Sequence, residues 1–166
     1  EAHKFGKLVA GHAHASDGII NALDAGIDML IHCSWMEPDG TLKYREDIVE
    51  RIAESGTWVN PTLYQVTGAG QEILLKKSEE FGLTHEEEVR LEGLKRLYPQ
   101  HITHVGKMAE AGAKLVTGSD CGWGDMPFDR IYREMELFVD SGMTNMEAIT
   151  TATSKAAQSL GLQDLI

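Results

Sequence analysis

Three residues of types that bind divalent metals in proteins lie where short apolar segments of the sequence end. His12, His32 and Asp120 each follow such a segment directly. Imidazole nitrogens and carboxylate oxygens are ligands that zinc takes in proteins, and catalytic zinc sites keep one position open for water. If the segments are neighbouring parallel strands, their carboxyl ends meet at one edge of the sheet. The three residues therefore predict a catalytic metal site.

Each of these residues also has an ordinary structural interpretation. A single histidine at a strand end is more often a hydrogen-bonded core imidazole. Asp120 suits a turn or a helix N-cap within the glycine-rich segment 118–124. The position that His12, His32 and Asp120 share favours the metal site over three separate structural roles.

His14 is a further candidate because it lies two residues after His12. In an extended chain, side chains two residues apart face the same side. His14 could therefore be a metal ligand or a substrate contact. A polar residue that leaves a strand and caps the following helix is an equally good interpretation.

Other histidines and the cysteines are weaker candidates. His101 and His104 are close to one helical turn apart and could clamp a metal, but histidines among polar helical neighbours are usually solvated, and we expect that here. Cys33 and Cys121 each follow a proposed ligand immediately, so their side chains point elsewhere in an extended chain. We expect neither cysteine to bind metal.

The glycine-rich segment 118–124 allows one alternative, a phosphate cradle. Parallel barrels often bind phosphate in the loops after their late strands. Asp120 and Asp125 place negative charge in this segment, which disfavours an anion there.

The elements that must position these residues alternate between strand and helix patterns. Short apolar, β-compatible runs predict four strands at residues 8–12, 28–32, 57–62 and 115–119. Helical spacing separates them, and the helical stretches end at glycines suited to a left-handed closing residue, namely Gly26, Gly56, Gly112 and Gly142. This order predicts an α/β fold with parallel strands, either a doubly wound sheet or part of a (β/α) barrel.

Sequence patterns also predict the helices of the longest connection and of the C-terminal region. Residues 66–112 predict two helices, with Pro99 kinking or splitting the second near Tyr98. The T-x-x-E capping boxes predict helix starts at Thr84 and Thr144. Apolar residues recurring every three or four positions predict a single helix from Thr144 to Leu160.

The composition limits the classes of protein to which this chain can belong. A chain of 166 residues suits one domain, and 42% hydrophobic content is ordinary for a globular protein. Fifteen basic against 26 acidic residues give a net charge of −11, which repels nucleic acid and anionic lipid. The apolar runs are too short for a membrane span, and neither a CxxC pair nor a secretory signal pattern is present in the sequence. We expect a cytoplasmic protein without nucleic-acid or membrane partners.

A series of motifs resembles the metal-dependent amidohydrolase superfamily, in its imidazolonepropionase-like and Xaa-Pro dipeptidase-like branch. The resemblance covers nearly the whole chain, and the order and spacing of the motifs make it specific. The motifs are VAGHAH at 9–14, LIHCS at 30–34, NPTL at 60–63, AGAKLVTGSD at 111–120, EMEL at 134–137 and ATSKAA at 152–157.

The resemblance implies roles for the candidate residues. His12 resembles the metal ligand of the fifth barrel strand, His32 the ligand of the sixth, and Asp120 the aspartate of the eighth, which contacts metal and shuttles a proton. His32 and Asp120 are accordingly the implied catalytic residues. The implied cofactor is a divalent metal, zinc before others, as one or two ions. The implied reaction is hydrolysis of an amide or other C–N bond by metal-bound hydroxide, on a dipeptide, an N-acyl amino acid or a cyclic amide.

The resemblance also implies a partial barrel. Residues 1–166 would form a single partial (β/α) domain, strands 5 to 8 of a TIM-type barrel, truncated at both ends relative to the family. The family's first-strand HxH pair and fourth-strand bridging ligand would precede His12, where only eleven residues stand. Reading His12-Ala13-His14 as that first strand leaves too few residues for seven more units.

These departures leave further hypotheses open. We expect the chain to pair with a second copy or with the missing N-terminal half, or to be a fragment of a longer product. It could instead be a noncatalytic half-barrel that serves assembly. A phosphate-ligand barrel without metal is the third hypothesis.

Overall fold

The computed structural model describes residues 1–123 and 126–165, in which one parallel sheet is packed against helices. The strands are β1 (Ala10–Ala13), β2 (Met29–His32), β3 (Trp58–Asn60) and β4 (Lys114–Leu115). The helices are α1 (Ser16–Asp24), α2 (Glu46–Ser55), α3 (Ala69–Glu80), α4 (His85–Glu110), α5 (Ile131–Asp140), α6 (Asn145–Thr151) and α7 (Ser154–Ser159). A 3-10 turn at Ala2–Phe5 and a π turn at Tyr64–Gly68 complete the described elements. The predicted α/β class is confirmed.

The strands lie side by side in chain order, β1-β2-β3-β4, and each neighbouring pair is parallel. A doubly wound sheet would reverse its order at a switch point, whereas the wall of a (β/α) barrel keeps chain order. The sheet therefore has the topology of four consecutive barrel units. In the β1–β2 register, Ala13 lies opposite His32 and His12 lies opposite Ile31, which brings the two histidines to one edge.

The glycines predicted to close helices do so in the left-handed conformation. Their φ angles are positive at each predicted position: Gly26 73°, Gly56 70°, Gly112 87° and Gly142 109°. A Cβ is disfavoured at such angles, so glycine is the natural residue there.

The stretch 66–112 contains two helices, α3 and α4, as predicted. Pro99 lies inside α4, which continues through it from His85 to Glu110 without splitting. The expected capping boxes are present: the hydroxyls of Thr84 and Thr144 each accept a backbone N–H three residues later, and the glutamate there accepts the N–H of the cap.

The single helix predicted from Thr144 to Leu160 is wrong, because the chain breaks into α6 and α7 at Ala152 and Thr153. The backbone N–H of Thr117, beyond β4, donates to the carbonyl of Thr151, and the two hydroxyls lie 2.6 Å apart. This contact with the sheet takes over a carbonyl that a continuing helix would use. It also explains why β4 is shorter than predicted, since Thr117 pairs with Thr151 rather than with β3.

The core lies between the sheet and the helices that cover it. It consists of side chains with almost no exposed surface, including Ile19, Leu30, Trp35, Ile52, Val59, Met108, Leu115 and Phe138. Within the described residues, no helix is both long and apolar enough to span a membrane.

Two helices approach closely where α4 passes the end of α5. Gly106 on α4 is buried, and a Cβ built on it would overlap the backbone carbonyl oxygen of Ser141. A carbonyl fixed at a helix end cannot swing aside as a flexible side chain would. The absence of a side chain at Gly106 therefore sets how closely the two helices pack. Gly93, on the same helix, has open space around its Cβ position among the described residues.

These two glycines give a matched pair of substitutions. Gly93→Ala should raise the free energy of unfolding by about 0.5–1 kcal/mol, because alanine favours a helix more than glycine does. Gly106→Ala should lower it by about 1–3 kcal/mol, because the new methyl forces α4 away from Ser141. Urea unfolding of both variants measures the difference. Equal stabilisation by both would show that the close approach does not constrain the packing.

Candidate metal centre

Three imidazoles meet at the carboxyl ends of β1 and β2. His12 lies within β1, His14 directly after it, and His32 is the last residue of β2. One ring nitrogen from each lies within 4.8 Å of the others. The Nε2 atoms of His12 and His32 are 2.7 Å apart, and the rings of His14 and His32 stack with centroids 4.5 Å apart.

An unusual backbone conformation follows the strands at this edge. Among the described residues, the non-glycine residues with positive φ are His32, Cys33, Trp35, Thr62 and Asp120. They lie at or beyond the carboxyl ends of β2, β3 and β4. Side chains in this region of φ are uncommon and concentrate at functional sites. The sharp turns at these positions set the directions of the side chains around the imidazole cluster.

Two of the rings are held through their other nitrogen. Nδ1 of His32 lies 2.6 Å from the hydroxyl oxygen of Thr62, and Nδ1 of His14 lies 2.9 Å from that of Ser34. Metal-binding histidines commonly use the second ring nitrogen in this way, which fixes the tautomer and the ring orientation. Thr62 and Ser34 were not predicted from the sequence. Both follow strands closely, so the rule that selected His32 and Asp120 would have found them too.

The electrostatics favour the neutral form of two of these imidazoles, His14 and His32. Burial, together with the neighbouring His14 and His12, lowers the pKa of His32 to about 4, against the opposing charge of Asp120. Burial and His12 likewise lower the pKa of His14 against the charge of Asp120. Neutral imidazole is the form that binds a metal. Two Nε2 atoms at hydrogen-bond distance need a proton or a cation between them, so the donor set fits a divalent metal.

Asp120 lies at the same edge but outside the imidazole cluster. The cluster of ring nitrogens within 4.8 Å of one another consists of His12, His14 and His32. The carboxylate is partly exposed and near enough for its charge to act on His14 and His32. Asp120 stands five residues beyond the end of β4, after the chain has left the sheet at Thr117. Its assignment as a ligand, like those of His12 and His32, stays a prediction.

The hydrogen bonds of the glycine-rich segment disfavour a phosphate cradle in the part that the structure describes. Three of its backbone N–H groups already donate within the loop: Cys121 to the Ser119 hydroxyl, Gly122 to the Met126 carbonyl and Trp123 to the Asp120 carbonyl. They are not free for an anion. His12 and His32 also face each other rather than apart. Gly124 and Asp125, which were part of that interpretation, lie outside the described residues.

His101 and His104 are not solvated as the sequence suggested. His101 is 2% exposed and His104 is half-buried, and both line a small cavity of about 10 Å³ that His32 and Trp35 also border. His101, Val105 and Met108 form one buried stripe on α4. The helical spacing of these three residues is present in the sequence, but the polar residues between them obscured the buried face that it indicates. Cys33 is buried, Cys121 is exposed, and neither belongs to the imidazole cluster.

Comparison with known families agrees with this geometry. The amidohydrolase family matches residues 1–166. The chain belongs to the amidohydrolase family. The resemblance noted from the motifs is thereby confirmed over the whole chain, and a strand-end histidine cluster is compatible with the divalent metals that amidohydrolases generally use.

Individual relatives of this amidohydrolase chain span longer sequences. Ochratoxinase of Aspergillus niger is 30% identical over 164 residues, which are 98% of this chain and 30% of ochratoxinase. The crystal structure of a Xaa-Pro dipeptidase with methionine bound in its active site superposes with a TM-score of 0.71 at 27% identity, over 98% of this chain and 36% of the dipeptidase. A putative prolidase from Bifidobacterium longum gives a TM-score of 0.71 at 26% identity, over 98% of this chain and 38% of the prolidase. The chain thus spans about a third of the proteins it matches.

Metal binding is the first property to measure. We expect the unaltered protein to bind zinc, and His12→Ala or His32→Ala to weaken binding about 100-fold or more, because each removes a ligand rather than only a residue that supports one. His85→Ala is the matched control, since the side chain of His85 is 89% exposed on α4. Titration against a chromogenic chelator gives the dissociation constants. Equal affinity in all four proteins would exclude the imidazole cluster as the zinc site.

Proposed function

We propose that this chain carries the metal centre of a metal-dependent hydrolase acting on amide or other C–N bonds. The observation that carries the proposal is the convergence of three imidazoles, two of them held at Nδ1 by hydroxyls. Membership of the amidohydrolase family supports the hydrolysis of amide bonds as the reaction class.

The residues proposed to hold the metal are His12 and His32, with His14 as a third nitrogen donor and Asp120 as a carboxylate ligand. Nitrogen and oxygen donors of this kind suit zinc, as one or two ions. Polarisation of the substrate carbonyl and a more acidic water are the chemistry that a divalent ion supplies when bound there.

Asp120 is the proposed proton carrier. The charge of its carboxylate reaches both His14 and His32. A carboxylate in that place can accept a proton from the attacking water and deliver it to the leaving amine. Its left-handed backbone, with a φ of 47°, turns the chain sharply after β4.

A dipeptide is the first substrate class we propose. A Xaa-Pro dipeptidase and a putative prolidase are among the similar structures, and both names refer to enzymes of that kind. An N-acyl amino acid and a cyclic amide are the second and third classes.

The proposed partner is the remainder of a barrel or a second copy of this chain. Within the described residues β1 and β4 are the outer strands, and each has one neighbour in the sheet. Open edges of this kind pair readily with another strand. A shared barrel would add ligands to the three imidazoles and close the site around a small substrate.

Asp120→Asn tests the proton-transfer role. Asparagine tolerates the left-handed backbone as aspartate does but cannot take up the proton. We expect kcat for hydrolysis of a Xaa-Pro dipeptide to fall by about 10²- to 10⁴-fold. Asp129→Asn, at an exposed position on the same connection, is the control and should leave kcat unchanged.

The zinc content and the activities of these proteins on the three substrate classes distinguish several outcomes. Unchanged turnover in Asp120→Asn would exclude the proposed role of this carboxylate. Turnover of N-acyl amino acids or cyclic amides but not dipeptides would replace the substrate class. A protein that binds no zinc and hydrolyses none of these amides would favour the noncatalytic half-barrel.

A further inference from the structure

Glu134 is a fully buried acidic residue that lies outside the imidazole cluster. It is on α5 and has 0% exposed surface. Its two carboxylate oxygens accept the backbone N–H groups of Leu63 at 2.8 Å and Tyr64 at 2.7 Å. A buried carboxylate is costly unless it is well hydrogen-bonded, so this placement requires an explanation.

The two N–H groups belong to the start of the helical segment that follows β3. Leu63 already has helical angles, with φ −54° and ψ −44°, and the π turn Tyr64–Gly68 and α3 continue from it. The first N–H groups of a helix have no partner within the helix. Glu134 therefore caps this segment from about 70 residues away along the sequence.

The residue immediately before this cap is Thr62. Thr62 is 1% exposed and has a φ of 47°, which is strained for a β-branched side chain. Such a conformation persists only where its surroundings hold it. The carboxylate of Glu134 fixes the next two residues, and so fixes the direction in which the chain leaves Thr62.

Thr62 in turn holds His32. Its hydroxyl oxygen lies 2.6 Å from Nδ1 of His32, and the opposite nitrogen of the ring, Nε2, faces His12. The contacts run without a gap from Glu134 through the backbone to Thr62 and from Thr62 to the imidazole. Glu134 itself does not touch the ring.

We propose that Glu134 is a positioning residue for the metal centre: by capping Leu63 and Tyr64 it holds the Thr62 hydroxyl against Nδ1 of His32 and keeps Nε2 directed into the imidazole cluster. The inference rests on the proposed function in treating that cluster as a metal site. Helix α5 supplies no ligand itself, but through Glu134 it controls the orientation of the His32 ring.

Zinc affinity tests the proposal through a double-mutant comparison. Thr62→Val keeps the shape of the side chain but removes the hydroxyl, and should weaken zinc binding about 10- to 100-fold, as loss of a hydrogen bond to a ligand does. Thr62→Ser should retain the affinity. Glu134→Gln places an NH₂ group against a backbone donor and should weaken binding about 10-fold. Glu136→Gln, on the same helix and half-exposed, is the control.

The double variant distinguishes positioning from a general structural role. If Glu134 acts through Thr62, Glu134→Gln combined with Thr62→Val should bind zinc no more weakly than Thr62→Val alone, within about twofold. Additive losses would overturn the proposal, as would unaltered zinc affinity in folded Glu134→Gln.

Amide hydrogen exchange covers the case in which Glu134→Gln does not fold. Because coupling between sites is reciprocal, zinc should slow exchange of the Leu63 and Tyr64 N–H groups in the unaltered protein by about fivefold or more. Exchange that is unchanged by zinc would overturn the proposal.

The ring signals of His32 separate this inference from the proposed function. If the unaltered protein binds no zinc, the proposed function fails, but NMR of the metal-free protein still decides the inference. The ring nitrogen signals of His32 should be sharp in the unaltered protein and in Glu136→Gln, and shifted or broadened in both Thr62→Val and Glu134→Gln. An unchanged signal in Glu134→Gln would overturn the inference.

Discussion

The hydrogen bond between the Thr62 hydroxyl and Nδ1 of His32 is the contact on which the geometry of the site depends. An imidazole has two nitrogens in fixed relation, so holding one determines where the other points. Because β2 and β3 are adjacent and parallel, the two residues reach the same edge of the sheet. Ring orientation at this edge is therefore set by strand pairing together with one hydroxyl.

The sheet brings the residues of the site close together, and the turns after the strands set the directions of their side chains. β3 and β4 contain only three and two residues, so the regular part of the fold ends well before the side chains that form the site. Individual hydrogen bonds, such as Thr117 to Thr151 and Leu63 to Glu134, hold the chain beyond these strands. Helices α5 and α6, which contribute nothing directly to the imidazole cluster, thereby fix the segments that leave β3 and β4.

The sequence predicted the features that depend on local pattern. Strand ends, glycine helix closures and capping boxes depend on residues within a few positions of each other, and they placed His12 and His32 at one edge. Features that depend on distant partners were missed. The break after Thr151 results from an N–H 34 residues away, and Glu134 has the sequence surroundings of an ordinary helical acid until its backbone partners are known. The sequence left His14 open between a metal ligand, a substrate contact and a helix cap, and it lies in the imidazole cluster because it follows β1 directly.

The left-handed conformation of Thr62 has a consequence for how the protein tolerates change. A glycine there would relieve the unfavourable φ, yet it would also remove a side chain that is 1% exposed and the hydroxyl that lies 2.6 Å from Nδ1 of His32. Relief of the backbone at this position would therefore leave the His32 ring without its partner at Nδ1. One residue thus sets both the turn that leaves β3 and the orientation of the imidazole, so neither can change without the other.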